Sequence, residues 1–193
     1  MACRVSNESE GSTRVSASGN HELASTWFMW HADLIGPGMR ILDVACGTGR
    51  HAIAAAARGA EVLAVDSDGE RLKAAEKAAK KAQLRIDWRI ADLRQDLPGG
   101  PFDMVMVFNY LDRSRMSKFL EMVRPGGYFL AETFLEQQRE LGWGPTDDEH
   151  LLRPGELWSL VEPFEIVLAR DVLEVLDGRP MAVASVLARR PQE

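Results

Sequence analysis

The feature that most constrains this chain is the run Ile41-Leu42-Asp43-Val44-Ala45-Cys46-Gly47-Thr48-Gly49-Arg50-His51-Ala52, in which a short apolar strand gives way, through two glycines, to an alanine-rich helix. A strand that passes into a helix through so tight a turn opens a βαβ unit, because parallel strands must be joined by a crossover and that crossover is usually a helix. With no β-carbon at Gly47 or Gly49, the backbone can come close to a ligand lying at the strand tip.

The rest of the chain repeats the alternation. A leading helix is expected over Glu22 to Leu34, where Leu23, Trp27, Trp30 and Leu34 recur at helical intervals before Gly36-Pro37-Gly38 stops the pattern. Strands are expected at Arg40–Val44, Glu61–Val65, Arg85–Ile90, Phe102–Phe108 and Tyr128–Phe134, with helices at His51–Arg58, Asp68–Gln83 and Arg113–Val123 between them. Ser67 or Asp68 is the N-cap of the Asp68–Gln83 helix, and Gly59 closes the helix before it. An irregular stretch, Leu135 to Arg153, precedes a helix at Pro154–Val161, and two long strands, Phe164–Leu176 and Pro180–Ala188, meet at the hairpin turn Asp177-Gly178. This pattern predicts an α/β, single-domain, Rossmann-like doubly wound fold: a mostly parallel seven-stranded sheet ending in a C-terminal antiparallel hairpin. Irregular insertions on such scaffolds tend to carry function.

At 193 residues the chain suits one core, so residues 21–193 are read as one domain and the Ser-, Asn- and Gly-rich residues 1–20 as a disordered tail. A net charge of −6 opposes non-specific attraction to a phosphate backbone, and Lys73, Lys77, Lys80 and Lys81 fall on a solvated helix face, so no nucleic-acid partner is expected. No apolar run reaches the length of a membrane span, and there is no secretory signal. Cys3 and Cys46 do not suggest a disulfide framework, which fits a cytoplasmic protein. His21, His31, His51 and His150 lack ligand spacing, so no metal site is expected. A monomer or homodimer is expected.

Asp66 lies 19 residues beyond Gly47 at the end of the second strand, where a carboxylate accepts hydrogen bonds from ribose hydroxyls. A nucleoside cofactor is implied, and Gly47-x-Gly49-x-x-Ala52 with Asp66 fits a dinucleotide fingerprint nearly as well as other nucleosides. Asp43 separates the two: at the tip of the first strand its charge would repel a pyrophosphate and attract the ammonium and sulfonium of S-adenosylmethionine. The alternative is that Asp43 merely caps the turn through backbone amides.

Asp43-Val44-Ala45-Cys46-Gly47-Thr48-Gly49 resembles the first motif of the class I S-adenosylmethionine-dependent methyltransferases, with Ala45 where many members carry glycine. Arg124-Pro125-Gly126-Gly127 resembles the turn before their fifth strand. Glu132-Thr133-Phe134, the residues 142–145 and Leu151-Leu152-Arg153-Pro154-Gly155-Glu156-Leu157 are more narrowly similar to bacterial tellurite-resistance-type (TehB-like) members. The resemblance implies S-adenosylmethionine as cofactor, S-adenosylhomocysteine as product and a small-molecule methyl acceptor. It implies cofactor contacts from Asp43, Ala45, Gly47 and Gly49, from Asp66 and Ser67 toward the ribose, and from Ala91, Asp92 and Leu93 toward the adenine. It places Phe108, Asn109, Tyr110 and Leu111 beside the methyl group. His51, at the start of the helix, faces the cofactor's carboxylate end, with Arg50 beside it.

Methyl transfer from a sulfonium is an in-line displacement governed by positioning and exclusion of water, so no acid–base triad is required. Tyr110 is a candidate to shape the acceptor pocket or orient its nucleophile; its alternative is packing on the cofactor alone. Arg113 is a candidate to hold an anionic acceptor, against the alternative of an arginine facing water. Trp30 and His31 are placed toward the site as a possible lid, since aromatic faces attract a sulfonium, and Trp27 is placed in the core. Glu132, Thr133, Arg139 and Trp143 surround the insertion that would cover the acceptor. Two further readings share the turn: an NAD(P)-dependent reductase, for which no Tyr-x-x-x-Lys pair is present, and a non-catalytic cofactor-binding protein of the same fold.

Overall fold

The computed structural model describes residues 23–176 and 178–192. Its seven strands are β1 (Arg40–Val44), β2 (Glu61–Asp66), β3 (Asp87–Ile90), β4 (Phe102–Phe108), β5 (Val123–Phe134), β6 (Glu165–Leu176) and β7 (Arg179–Arg189), and they form one sheet in the order β3-β2-β1-β4-β5-β7-β6. Strands β1 to β5 are parallel, and β7 runs antiparallel to both β5 and β6. This is the doubly wound sheet with a closing hairpin expected above. The hairpin turns at Gly178, whose φ of +75° suits glycine. Its partner Asp177 and the 1–20 tail lie outside the described residues.

Helices α1 (Thr26–Trp30), α2 (Arg50–Ala56), α3 (Gly69–Lys81), α4 (Met116–Glu121) and α5 (Glu156–Leu160) cover the two faces. Strand β4 sits mid-sheet, and its side chains alternate between the two halves of the core. Val105 and Val107 join Phe119 of α4 and Leu157 of α5, whereas Met104, Met106 and Phe108 join Trp27, Phe28 and Ala52 on the other face. The small side chains of Ala52, Ala55 and Ala56 let α2 lie close to the sheet.

Several element ends differ from the sequence expectation, each for a local reason. The leading helix begins only at Thr26, because Ser25 caps it by accepting the Phe28 amide through Oγ, and Ala32–Leu34 continues as a 3₁₀ turn. Asp68, not Ser67, caps α3: its Oδ1 accepts the amides of Glu70 and Arg71. The expected Arg113–Val123 helix divides into a 3₁₀ turn, Arg113–Arg115, and the shorter α4. Strand β5 starts early and bulges: Val123 pairs with Phe102, and the ladder resumes at Tyr128 opposite Met104. Within the bulge, a β-carbon on Gly127 would stand 2.8 Å from the Asp103 carbonyl oxygen, so glycine is required there.

Candidate active site

The tip of β1 and the first turn of α2 build one wall of a cavity of about 470 Å³, and the Leu135–Arg153 insertion builds the opposite wall. Asp43, Ala45, Gly47, Arg50 and His51 line the first side; Tyr110, Thr133, Trp143, Gly144, Pro145 and His150 line the second, with Phe108 and Asn109 between them. The turn curls because Ala45, Gly47 and Gly49 all take left-handed φ values of 52°, 57° and 73°. Asn109, at the end of β4, does likewise with φ 54°, a conformation asparagine tolerates better than most residues.

The two glycines have different reasons for being there. A β-carbon on Gly47 would meet nothing nearer than Arg71 Nη1 at 3.9 Å, so its backbone faces open space beside the cavity. A β-carbon on Gly49 would stand 2.5 Å from Trp88 Cη2 and 3.0 Å from Ala75 Cβ, and Gly49 does not line the cavity. Gly49 is therefore the cap of α2 and a packing glycine under Trp88, a correction to its expected place at the ligand.

Asp43 is the electrostatic centre of the first wall. Its carboxylate accepts the Ala52 amide, yet Oδ2 is buried with no hydrogen-bond partner. Burial is the main cause that lifts its pKa to about 7, with the Ala52 bond and Arg50 pulling the other way. The capping alternative thus accounts for one oxygen and leaves the other without a partner. A buried, unsatisfied anionic oxygen at the cavity wall fits a cationic group such as an ammonium and would repel a pyrophosphate.

His51 is buried, stacks on Phe108 with ring centroids 3.8 Å apart, and accepts the Ser25 amide on Nε2 at 3.2 Å. Burial, then Arg50, hold its pKa well below the usual imidazole value, so the ring is neutral with its proton on Nδ1. Tyr110 packs on Phe119, and burial followed by Asp112 raises its phenol pKa.

The insertion is pinned at three places. Gln138 is fully buried: its Nε2 donates to the Trp143 carbonyl at 2.9 Å and its Oε1 accepts the Ala182 amide at 2.9 Å. Trp143 Nε1 donates to the Pro180 carbonyl at 2.8 Å, and its ring meets Phe134 edge to face. Arg139 donates to the Thr146 carbonyl and pairs with Asp148.

Arg113 adds a fourth pin, and here the expectation of an acceptor ligand is corrected. Its guanidinium makes a bidentate pair with Glu156 at 2.6 and 3.1 Å and donates to the carbonyls of Asp148, Glu149 and Leu151. It lies outside the cavity lining. Trp30 and His31 are corrected as well. Trp30 is 59% exposed and stacks with Arg170, while His31 packs edge-on against Trp27; neither lines the cavity. The reason is that α1 lies against β7 and β6, where Trp27 Nε1 reaches the Val186 carbonyl and Arg170 sits between the two indoles. Glu132 belongs to the same network, paired with Arg170 at 3.1 Å and bonded to Ser185.

Asp66 is placed at the β2 tip but bonded inward: Oδ2 accepts the Gly47 amide at 2.7 Å and Oδ1 the Asp68 amide at 2.9 Å. Ser67, Ala91 and Asp92 stand at the neighbouring strand tips without lining the cavity, and Asp92 caps its own turn through the Arg94 amide. Leu93 is buried in the core beneath, a correction to its adenine-facing place. Sequence reasoning missed Thr48, Arg71 and His150 in the lining and Gln138 behind it. Arg71 sits in the first turn of α3, a short step beyond Asp66, and that proximity was the available signal.

Residues 41–127 match the methyltransferase domain family. With the sheet order and the glycine turn, this makes the chain similar to the class I S-adenosylmethionine-dependent methyltransferases. It is 30% identical over 141 residues to the ribosomal protein L11 methyltransferase of Symbiobacterium thermophilum, covering 72% of this chain and 46% of that one. It is 29% identical over 174 residues to the ubiquinone biosynthesis O-methyltransferase of a Methylobacterium species, covering 76% of this chain and 70% of that one. Its fold is similar to that of TehB from Haemophilus influenzae, with TM-score 0.71 at 20% identity over 84% of this chain and 60% of that one. The chain spans about half the length of the first curated relatives it matches. Among the described residues no helix is long and apolar enough to cross a membrane, and no group of His, Cys, Asp or Glu is arranged to hold a metal.

Proposed function

We propose that the protein transfers a methyl group from S-adenosylmethionine to a small-molecule acceptor held beneath the 135–153 insertion. The observation that carries this reading is Asp43 Oδ2, buried without a partner on the wall of a cavity that the insertion closes from the other side. When bound, S-adenosylmethionine supplies a methyl group on a sulfonium, open to in-line displacement, and S-adenosylhomocysteine is the product.

Asp43 receives the cofactor's ammonium, and the backbone at Gly47 lets the cofactor approach closely because no β-carbon fills that space. Asp66 spends one lone pair of each oxygen on an amide and keeps the others for ribose hydroxyls. Ser67 lies beside that ribose, and Ala91 and Asp92 border the adenine. Arg50 and the neutral His51 flank the methionine end, and Phe108 and Asn109 form the floor between cofactor and acceptor. Tyr110, Thr133 and Trp143 surround the acceptor, and its placement together with exclusion of water lowers the barrier.

The cavity volume falls in the range of small-ligand sites, and a pinned roof favours a small acceptor over a protein side chain. The free cysteine at position 46 and the net charge of −6 support a cytoplasmic setting without nucleic acid, and one chain, as monomer or within a homodimer, supplies the whole cavity. The test is calorimetric titration with S-adenosylmethionine, S-adenosylhomocysteine and NAD, followed by labelled-methyl transfer to thiols, chalcogen oxyanions, hydroxylated and amino metabolites, and ribosomal protein. Micromolar binding of the two sulfur nucleosides alone, with label entering a small acceptor, is expected. Binding of NAD alone overturns the cofactor, and label entering only protein overturns the acceptor class.

A further inference from the structure

We propose that His150 is the general base of the acceptor site and that the acceptor is an aromatic hydroxyl, which reaches the site carrying a proton. This rests on the methyltransferase reading and deepens it.

The insertion side of the cavity has aromatic walls, Tyr110, Phe134 and Trp143, suited to a flat apolar molecule. It holds no carboxylate. A hydroxyl attacking a methyl group must lose its proton, and imidazole is the side chain suited to accept one near neutral pH. The other candidates lining the cavity are unsuited. His51 has its Nε2 lone pair engaged by the Ser25 amide, so its remaining nitrogen carries hydrogen and cannot accept. Burial raises the pKa of Cys46 and holds it as a thiol, and Asp43 belongs to the opposite wall.

The backbone that carries His150 is held firmly, while its imidazole, 51% exposed, stays open to the cavity mouth. Arg113 grips the carbonyls of Asp148, Glu149 and Leu151, at 3.3, 3.2 and 2.7 Å, and so fixes the backbone on both sides of His150. The His150 amide donates to the Asp147 carbonyl at 3.0 Å. Glu149 Oε1 lies 3.3 Å from His150 Nε2, which favours the tautomer with hydrogen on Nε2 and leaves the Nδ1 lone pair to accept a proton. The charged and titratable groups around this imidazole are Glu149, Asp148, Arg113, Arg139 and Tyr110 on its own side, and Arg71 across the cavity. In the reaction the acceptor oxygen forms its bond to the methyl carbon while the methyl–sulfur bond breaks, its electron pair staying on sulfur. The hydroxyl proton passes to His150 Nδ1. Arg113 is the positioning residue for this base.

The experiment compares wild type, His150→Gln and His150→Ala with labelled S-adenosylmethionine and two probes, catechol and the more acidic thiophenol, across pH 6 to 9. S-adenosylhomocysteine binding is measured on all three proteins. We expect both variants to bind S-adenosylhomocysteine as wild type does and to lose about a hundredfold or more in kcat with catechol. Thiophenol turnover should fall far less, and added imidazole should restore catechol turnover to His150→Ala. Catechol turnover by the variants at the wild-type rate, an equal loss on both probes, or no rescue by imidazole overturns the proposal. Wild type that binds S-adenosylhomocysteine but methylates neither probe overturns it while leaving the cofactor reading intact, and failure to bind overturns both.

Discussion

Asp66 Oδ2 accepts the amide of Gly47 at 2.7 Å and so ties the tip of β2 to the turn that follows β1. The second oxygen accepts the Asp68 amide, so both sides of the carboxylate face donors. In Asp66→Asn one of those amides meets an NH₂ group instead. The substitution should destabilise the cofactor-free protein by about 1–3 kcal/mol, the cost of an unsatisfied buried donor, and also weaken S-adenosylhomocysteine binding. Denaturant unfolding without ligand, beside calorimetry, separates the two effects. Unchanged unfolding would remove the clamp, and unchanged binding would remove the ribose contact.

Asp43 makes stability and binding depend on pH in opposite senses. Its folded pKa, about 7, lies above the ordinary aspartate value of 3.8, so the folded state binds the proton more tightly than the unfolded chain does. The stabilisation this gives is complete at low pH and is lost as pH rises from about 4 through 7. A cationic ligand favours the ionised carboxylate, so S-adenosylmethionine affinity should rise between pH 6 and 8. Asp43→Asn should flatten both curves and weaken binding, read by thermal unfolding and titration calorimetry over that range.

Gly47→Ala and Gly49→Ala should fail differently. At Gly49 a methyl meets Trp88 at 2.5 Å with φ at +73°, so the left-handed cost of about 1–2 kcal/mol is joined by a clash and folding should suffer. At Gly47 the methyl enters open space with φ at +57°, so the loss of stability should stay near about 1–2 kcal/mol while ligand binding is lost. Equal loss of stability in the two variants would contradict the division of roles.

Glu132 and Arg170 form a pair buried between α1 and the hairpin. Burial raises the Glu132 pKa even with Ser185 and Arg170 bonded to it. Glu132→Ala leaves Arg170 with Glu174 and Ser185 and should cost about 3 kcal/mol, in the range for breaking a buried pair. Chemical unfolding measures it, and a loss confined to a few tenths would show the pair to be dispensable.

What the sequence reveals follows from how local each signal is. The alternation of elements and the turn from Asp43 to Ala52 are carried by neighbouring residues, so the fold, the cofactor class and the place of Asp43 beside the cavity are all legible. Arg113 is not: its partners, Asp148 to Leu151 and Glu156, lie 35 to 43 residues away, and nothing in the sequence near Arg113 names them. Trp30 and His31 are near the glycine turn along the chain, yet α1 turns away to pack on β7, a strand built from the far end of the sequence. The neighbours of Gly49 in sequence point only to the ligand, because its clash partner, Trp88, lies on a different strand.

The indole of Trp27 reaches the Val186 carbonyl at a separation of 159 residues, and Arg170 lies over the same ring. During synthesis, Phe28 can therefore settle on His51 and Phe108 before the Trp27 indole finds its partner on β7. Trp27, fully buried in the finished protein, must wait in contact with water or a chaperone until β7 has been made. The step that seats it closes the longest loop in the molecule, which makes this contact a natural late event in folding and a place where truncated chains would stick to one another.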